Sequence, residues 1–204
     1  LRASHGRQAW STQRRDRSGW GFTSAMVDPQ ERVLVAAPGD TRFVQVYALP
    51  KRAHELDVGQ ACLRVVFSPD GKRVATAGEG AVKIWNPFGK RRGPSRLYLP
   101  PTWTLEVDGA VVTDVAFAPD GGTCATASSD GALRIWPVER RDGRPHPTHA
   151  LAFDATPQAV AYSPDGALLA VGDARGRVTW VDTGRPRVVE EQEAHEHGVC
   201  RLTF

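Results

Sequence analysis

Val65-Val66-Phe67-Ser68-Pro69-Asp70-Gly71, followed by Arg73-Val74-Ala75-Thr76-Ala77-Gly78 and then Val82-Lys83-Ile84-Trp85, decides the fold because it recurs. The second copy reads Val115-Ala116-Phe117-Ala118-Pro119-Asp120-Gly121, Thr123-Cys124-Ala125-Thr126-Ala127-Ser128 and Leu133-Arg134-Ile135-Trp136. The third reads Val160-Ala161-Tyr162-Ser163-Pro164-Asp165-Gly166, Leu168-Leu169-Ala170-Val171-Gly172 and Val178-Thr179-Trp180-Val181. A weaker copy precedes them, from Ala25-Met26-Val27-Asp28-Pro29 through Val33-Leu34-Val35-Ala36-Ala37 to Val44-Gln45-Val46-Tyr47. A further copy begins at Gly198-Val199-Cys200-Arg201-Leu202-Thr203-Phe204.

The last apolar residue before each turn is Val27, Phe67, Phe117, Tyr162 and Phe204, at separations of 40, 50, 45 and 42 residues. From that residue to the end of the third apolar run (Tyr47, Trp85, Trp136, Val181) the distance is 20, 18, 19 and 19. A unit that is constant inside and elastic between copies is a packed module joined by variable surface loops. The glycines Gly80, Gly131 and Gly176 fix the alignment of the third run. They set Trp180 opposite Ile84 and give Val181 the Trp85 position.

Pro-Asp-Gly is a turn with a mechanism: Pro presets φ, Asp bonds the backbone ahead of it, and Gly accepts positive φ. Glu79-Gly80, Asp130-Gly131 and Arg175-Gly176 supply a second turn in each unit,. The runs between turns are five to seven residues long and rich in Val, Ala, Thr and Ile, which is strand length and strand composition. Helical spacing is sustained nowhere. A fourth strand per unit is expected near Ala53 to Val58, Thr102 to Val107, Thr148 to Phe153 and Arg187 to Glu191. Short turns require up-and-down antiparallel pairing. A four-stranded sheet with two apolar faces buries both by stacking on its neighbours, as the blade of a β-propeller does. The expected fold is therefore all-β, with about four four-stranded antiparallel blades plus the first strand of a fifth, in an open or truncated ring.

At these residues the chain resembles the WD-repeat β-propeller family, in a bacterial, partial form. Its repeat length, its Ser68-Pro69-Asp70-Gly71 and Ser128-Ser129-Asp130-Gly131 turns and its Ile84-Trp85 and Ile135-Trp136 strand endings carry the resemblance,. There are departures. Trp85 is followed by Asn86 and Trp136 by Pro137, so neither ends in Trp-Asp, and only Ala194-His195 approaches the Gly-His that precedes a blade in that family. The resemblance implies a buried His, Ser/Thr, Asp and Trp network that would be partial in the third unit, with Asp130, Thr126 or Ser128, and Trp136. Another propeller family sharing the Ser-Pro-Asp-Gly turn is the alternative.

Residues 1–18, rich in Arg, Ser and Gln, read as a linker or a stray outer strand. Residues 19–204 read as blades at about 19–58, 59–107, 108–153 and 154–192, with the start of a fifth at 193–204. The chain begins Leu1-Arg2-Ala3 without an apolar leader and reads as part of a longer product,. No run approaches the roughly 18 apolar residues a membrane helix needs, so no membrane association is expected. The net charge of +3 is too small to imply nucleic acid,. Three separated cysteines, Cys62, Cys124 and Cys200, form no disulfide framework and are expected as buried free thiols,.

Candidates for chemistry are few. His146 and His149 flank Pro147 with no third ligand in sequence, and His195 and His197 flank Glu196, which would complete a weak site; both pairs read as solvated loop residues,. No Gly-x-Ser-x-Gly elbow and no phosphate-binding Gly loop occurs. No catalytic, cofactor or metal site is expected, and the chain is not read as an enzyme.

One charge pattern suggests a site. In an up-and-down blade the first and third turns share one rim, and the second turn shares the other rim with the link to the next blade. The first of these rims collects Lys90, Arg91, Arg92, Arg140, Arg141, Arg144, Arg185 and Arg187, joined by Lys72 and Arg73. The other collects Asp57, Glu79, Asp108, Asp130, Asp154, Asp173 and Glu196. A basic rim that captures a protein or peptide partner is the expectation, with self-association through open blade edges. The function expected is a non-catalytic interaction scaffold or sensor module of a longer, cytoplasmic signalling protein. The alternatives are binding of nucleic acid or another acidic partner through the basic rim, and a propeller hydrolase or lyase. The last would need inward His, Glu or Asp where Gln60, Ala110, Gln158 and Gly198 stand.

Overall fold

A computed structural model describes residues 22–30, 33–38, 43–48, 51–88, 100–138 and 145–204. Every regular element among them is a strand. Blade one is an antiparallel sheet in sequence order, β1 (Phe22–Val27), β2 (Val33–Pro38), β3 (Phe43–Ala48) and β4 (Lys51–Asp57). Blade two opens with β5 (Cys62–Phe67), which pairs with the first arm of β6 (Val74–Trp85). The chain reverses within β6 at Gly80, whose φ is 72°. Across that reversal Trp85 Nε1 donates to Thr76 Oγ1 at 2.9 Å. The fourth strand then starts where Thr102 N–H donates to Ile84 O at 2.7 Å. β7 (Trp103–Phe117) also holds two arms, separated by Gly109 with φ 68°. Its second arm begins blade three, followed by β8 (Thr123–Ser128), β9 (Ala132–Pro137) and β10 (His149–Ala152). Blade four is β11 (Pro157–Tyr162), β12 (Leu168–Asp173), β13 (Arg177–Asp182) and β14 (Arg187–Glu193), again in order.

The chain forms two compact units, one from the described residues within Leu1–Gly78 and Lys83–Trp103, the other from Glu79–Val82 and Thr104–Phe204. In the first, Val35, Val44, Val46 and Leu56 of blade one pack with Val65, Phe67, Val74 and Trp85 of blade two. In the second, Ala125, Leu133 and Ile135 of blade three pack with Val160, Leu169 and Val181 of blade four. Both cores lie between sheets, as the stacking argument requires. Trp85 and Trp136 are buried, and so is Val181 at the matching position, while Trp180 is only half-buried. The glycine-based alignment of the third strand therefore holds.

Two regularities of the fold were not expected. Each first strand carries a β-bulge at one repeat-fixed place, between Phe22 and Ser24, Cys62 and Arg64, Val112 and Asp114, and Pro157 and Ala159. A bulge deepens the local twist. The residue after the bulge can then reach the next sheet: Ser24 Oγ accepts Val65 N–H at 3.1 Å, and Asp114 Oδ2 accepts Val160 N–H at 3.0 Å.

Residues 194–204, where the repeat places a fifth unit, run on from β14 without joining a ladder. A strand needs a partner, and no described segment pairs with this one. It is nevertheless docked. Ala194 and His195 N–H donate to Gly176 O, Val199 N–H donates to Asp173 O at 2.9 Å, and Val199 is buried. The Phe204 ring meets Trp180 edge-on at 5.5 Å. Gly176 permits this approach. Its φ is 89°, and a Cβ there would run into His195 O,.

Candidate interaction rims

The turns are built from side-chain bonds that the sequence motifs specify. Ser68 Oγ donates to Asp70 Oδ1 at 2.7 Å and accepts Arg73 N–H at 2.9 Å, while Gly71 N–H donates to Ser68 O. Ser163 and Asp165 repeat this at 2.6 Å, with Leu168 N–H on Ser163 Oγ at 2.9 Å. The serine hydroxyl is the main reason that the Asp70 and Asp165 carboxyls sit below the usual carboxylate range. In blade three Ala118 stands where the serine would be, and the backbone bonds and the Gly122 N–H bond to Asp120 Oδ1 at 2.8 Å remain without the hydroxyl.

The rim grouping follows from the hydrogen bonds. Thr183, after β13, donates through Oγ1 to Gly166 O at 2.7 Å, tying the third turn of blade four to its first. Val138 N–H donates to Gly122 O at 2.9 Å in blade three. On the opposite side Phe153 N–H donates to Gly131 O at 2.8 Å, joining the second turn to the link that follows the blade.

Of the basic-rim candidates, Arg185 is exposed on the third turn of blade four and Arg187 is exposed at the start of β14. Asp182 Oδ1 shapes that turn by accepting Gly184 and Arg185 N–H. Lys90, Arg91, Arg92, Arg140, Arg141 and Arg144 lie outside the described residues, as do residues 1–18. Lys72 is exposed and 3.6 Å from Asp70. Arg73 is half-buried with its guanidinium 6.0 Å from the centre of the Trp103 ring.

The opposite rim is acidic only in part: Glu79, Asp154 and Glu196 are exposed, but Asp130 and Asp173 are taken up within their blades. Asp130 is bonded by Arg134 Nη2 at 2.5 Å, by Ser128 Oγ at 2.6 Å and by Ala132 N–H at 3.1 Å. The Arg134 guanidinium holds the Asp130 carboxyl at about 2 against the opposing effect of burial, aided by Ser128 and the Ala132 N–H. Asp173 is 2% exposed. Burial pushes its carboxyl up, but the Arg175 and Arg177 N–H groups and Arg177 Nε at 3.0 Å outweigh that and keep it low. These carboxylates are bonds within a blade. Each pairs with the arginine four residues on, Asp130 with Arg134 and Asp173 with Arg177.

The network implied by the family resemblance takes a changed form. Trp136 Nε1 donates to Thr126 Oγ1 at 2.9 Å, so threonine 126 is the indole acceptor. Ser128 instead joins Asp130 and Arg134, which bonds Ser128 Oγ through Nη1 at 2.8 Å. In blade two Lys83 Nζ reaches across the same rim to Val58 O at 2.5 Å.

Cys62 and Cys124 are buried, and burial pushes both thiols up to about 12. Cys200 is exposed, contrary to the expectation that all three are buried, because its segment joins no sheet and its side chain sits at the bulge position of the repeat. His146, His149, His195 and His197 are all exposed, and among the described residues no group of three or more His, Cys, Asp or Glu could hold a metal ion. No described helix is long and apolar enough to cross a membrane.

Stacked four-stranded blades with this turn chemistry define a β-propeller. The WD40 family (WD domain, G-beta repeat) matches residues 43–86 and 100–137. The chain carries WD40 repeats and has the fold of a WD-repeat β-propeller. In sequence it is 28% identical to Protein HIR1 of Yarrowia lipolytica, over 69% of this chain and 16% of that protein. It is 30% identical to the Periodic tryptophan protein 2 homolog of Dictyostelium discoideum, over 78% and 16%. It is 25% identical to Protein groucho of Drosophila melanogaster, over 86% and 23%. The chain thus spans less than a quarter of the length of these curated relatives. The Cps50 (Swd1) β-propeller domain of Myceliophteria thermophila superimposes with a TM-score of 0.74 at 15% identity, covering 90% of this chain and 58% of that one, which is a likeness of fold alone.

Proposed function

We propose that this chain is a non-catalytic protein-interaction scaffold or sensor module, working within a longer cytoplasmic signalling protein. The observation that carries the proposal is how the rims are built. Ser68, Asp70, Ser163, Asp165, Asp130 and Asp173 spend their polar atoms on holding turns in one shape. Acid–base work needs a group free to exchange a proton with a substrate; these groups instead preorganise a surface. A preorganised surface loses little freedom when a partner binds. The WD40 repeat match supports the same reading. Arg185 and Arg187 are the described part of the basic rim.

The test is affinity capture from a cell lysate at low salt, comparing the chain with a variant carrying Ser in place of Arg91, Arg92, Arg140, Arg141, Arg185 and Arg187. A defined protein set captured by the first and lost by the second is expected. Identical capture by both would reject the basic rim. Binding of a DNA duplex that weakens a thousandfold or so between about 50 and 200 mM salt would instead support the nucleic-acid alternative.

A further inference from the structure

From β14 we infer that the outer edge of blade four docks an extended, lysine- or arginine-bearing segment of a partner protein, which adds to the sheet as a fifth strand. The inference deepens the scaffold reading and rests on it.

β14 ends the hydrogen-bonded order of its sheet, so one edge has no strand beside it among the described residues. An unpaired edge is a template for another strand. In blade three the last strand, β10, is only four residues long. β14 has seven residues, all exposed, an edge of about 23 Å at the usual rise per residue. Val188 and Val189 are 46% and 55% exposed, in the middle of a strand where apolar side chains are normally covered. Val181 pairs with Val188 and Trp180 with Glu190, so Val189 is the extra residue of a bulge.

Charge selects the occupant. β14 carries Arg187 against Glu190, Glu191 and Glu193, a net charge of −2. A second copy of the strand would bring the same net charge to the edge, and like charges across a ladder are destabilising. A basic strand sets opposite charges in those places. The nearest cation on β13 offsets only part of the edge charge. Arg177 is held by Asp173 through Nε at 3.0 Å and stands 3.9 Å from Glu191. Just past the end of β14 lies an open pocket of about 570 Å³, lined by Arg175, Arg177, Glu193, Ala194, His195 and Glu196. With Arg177 shared between Asp173 and Glu191, its two glutamates outnumber Arg175, and it is roomy enough to admit a long basic side chain at the end of the docked segment.

The experiment is fluorescence anisotropy on the full chain with three fluorescein-labelled seven-residue peptides: alternating Lys and Val, alternating Glu and Val, and the Lys/Val peptide N-methylated at alternate residues. The Lys/Val peptide should bind about tenfold or more tighter than the Glu/Val peptide. N-methylation removes the backbone donors of one edge and should weaken binding by about tenfold. The Glu190→Lys/Glu193→Lys variant replaces exposed residues, should melt as the parent does, and should prefer the Glu/Val peptide. Equal binding of the Lys/Val and Glu/Val peptides would overturn the inference, as would equal binding of the N-methylated peptide, which would mean charge attraction without strand addition. A wild-type dimer in sedimentation that the same variant disperses would assign the edge to a second copy and overturn it too. If these fail while lysate capture still depends on the basic rim, the scaffold reading stands and only this edge is withdrawn.

Discussion

Replacing Thr126 with valine changes one hydroxyl into a methyl at nearly constant volume, so its effect isolates one hydrogen bond. Thr126 is fully buried, Trp136 is 2% exposed, and the indole Nε1 lies 2.9 Å from the threonine Oγ1. The valine variant leaves a buried indole N–H without its acceptor, at a cost of about 1–3 kcal/mol. With a urea dependence of about 2 kcal/mol per molar, the unfolding midpoint should fall by about 0.5–1.5 M. Trp136→Phe alone loses ring volume and strands the threonine hydroxyl. The double variant has neither orphan, so its cost should be less than the sum of the two by about 0.5–2 kcal/mol. Urea titrations followed by far-UV circular dichroism on the four proteins provide the comparison. Single costs that add to within about 0.5 kcal/mol, or a valine variant as stable as the parent, would refute the argument that this bond holds the blade. Blade two offers a replicate, since Trp85 Nε1 donates to Thr76 Oγ1 at the same 2.9 Å.

Ala118→Ser should raise the urea midpoint, because the new hydroxyl falls where Ser68 and Ser163 already bond a carboxylate and a backbone N–H; the gain should be about 0.5–1.5 kcal/mol. Asp130 is held at about 2, below its ordinary 3.8. Its stabilising effect is therefore complete above about pH 4 and lost as pH falls through 2, and midpoints measured over that range should fall less steeply for Asp130→Asn than for the parent. A thiol reagent at about pH 8 should modify Cys200 rapidly in the folded chain and reach Cys62 and Cys124 only after unfolding,; equal rates at all three would contradict the burial described.

The strands were legible because their ends are marked by residues with little conformational choice. Pro-Asp-Gly sets where each first strand stops, and Gly80, Gly131 and Gly176 set where each third strand starts. That is why Val181 could be given the buried Trp85 position despite the tryptophan beside it. The bulges were not legible, since the extra residue is Thr23, Leu63, Thr113 or Gln158, and neither threonine, leucine nor glutamine marks a bulge as glycine would,. Missing the bulge is what misplaced Cys200. Counted back from the last apolar residue of its unit, Cys200 matches Leu63, Thr113 and Gln158, which are half-buried. Its neighbour Val199 matches Cys62, Val112 and Pro157, which are buried. Once the bulge is known, the same count places one thiol outside and another inside.

The charged residues show a deeper limit. A carboxylate at a turn contributes to a surface field only if no partner within the fold takes it, and sequence spacing alone does not say which way it faces. Asp130 and Asp173 sit at matching turns but at different positions within them, and each finds its arginine four residues on. Ser24 and Asp114 follow the first-strand bulges and bond the next sheet, while Arg64 and Ala159 hold that place in the other two blades. No consensus letter could mark a position whose task is to accept an N–H from a strand some 40 residues away. The residues that join sheet to sheet are therefore those the repeat leaves variable. β14 is the converse case: apart from the Glu191 contact with Arg177, its carboxylates and valines are exposed on an edge that another chain can reach.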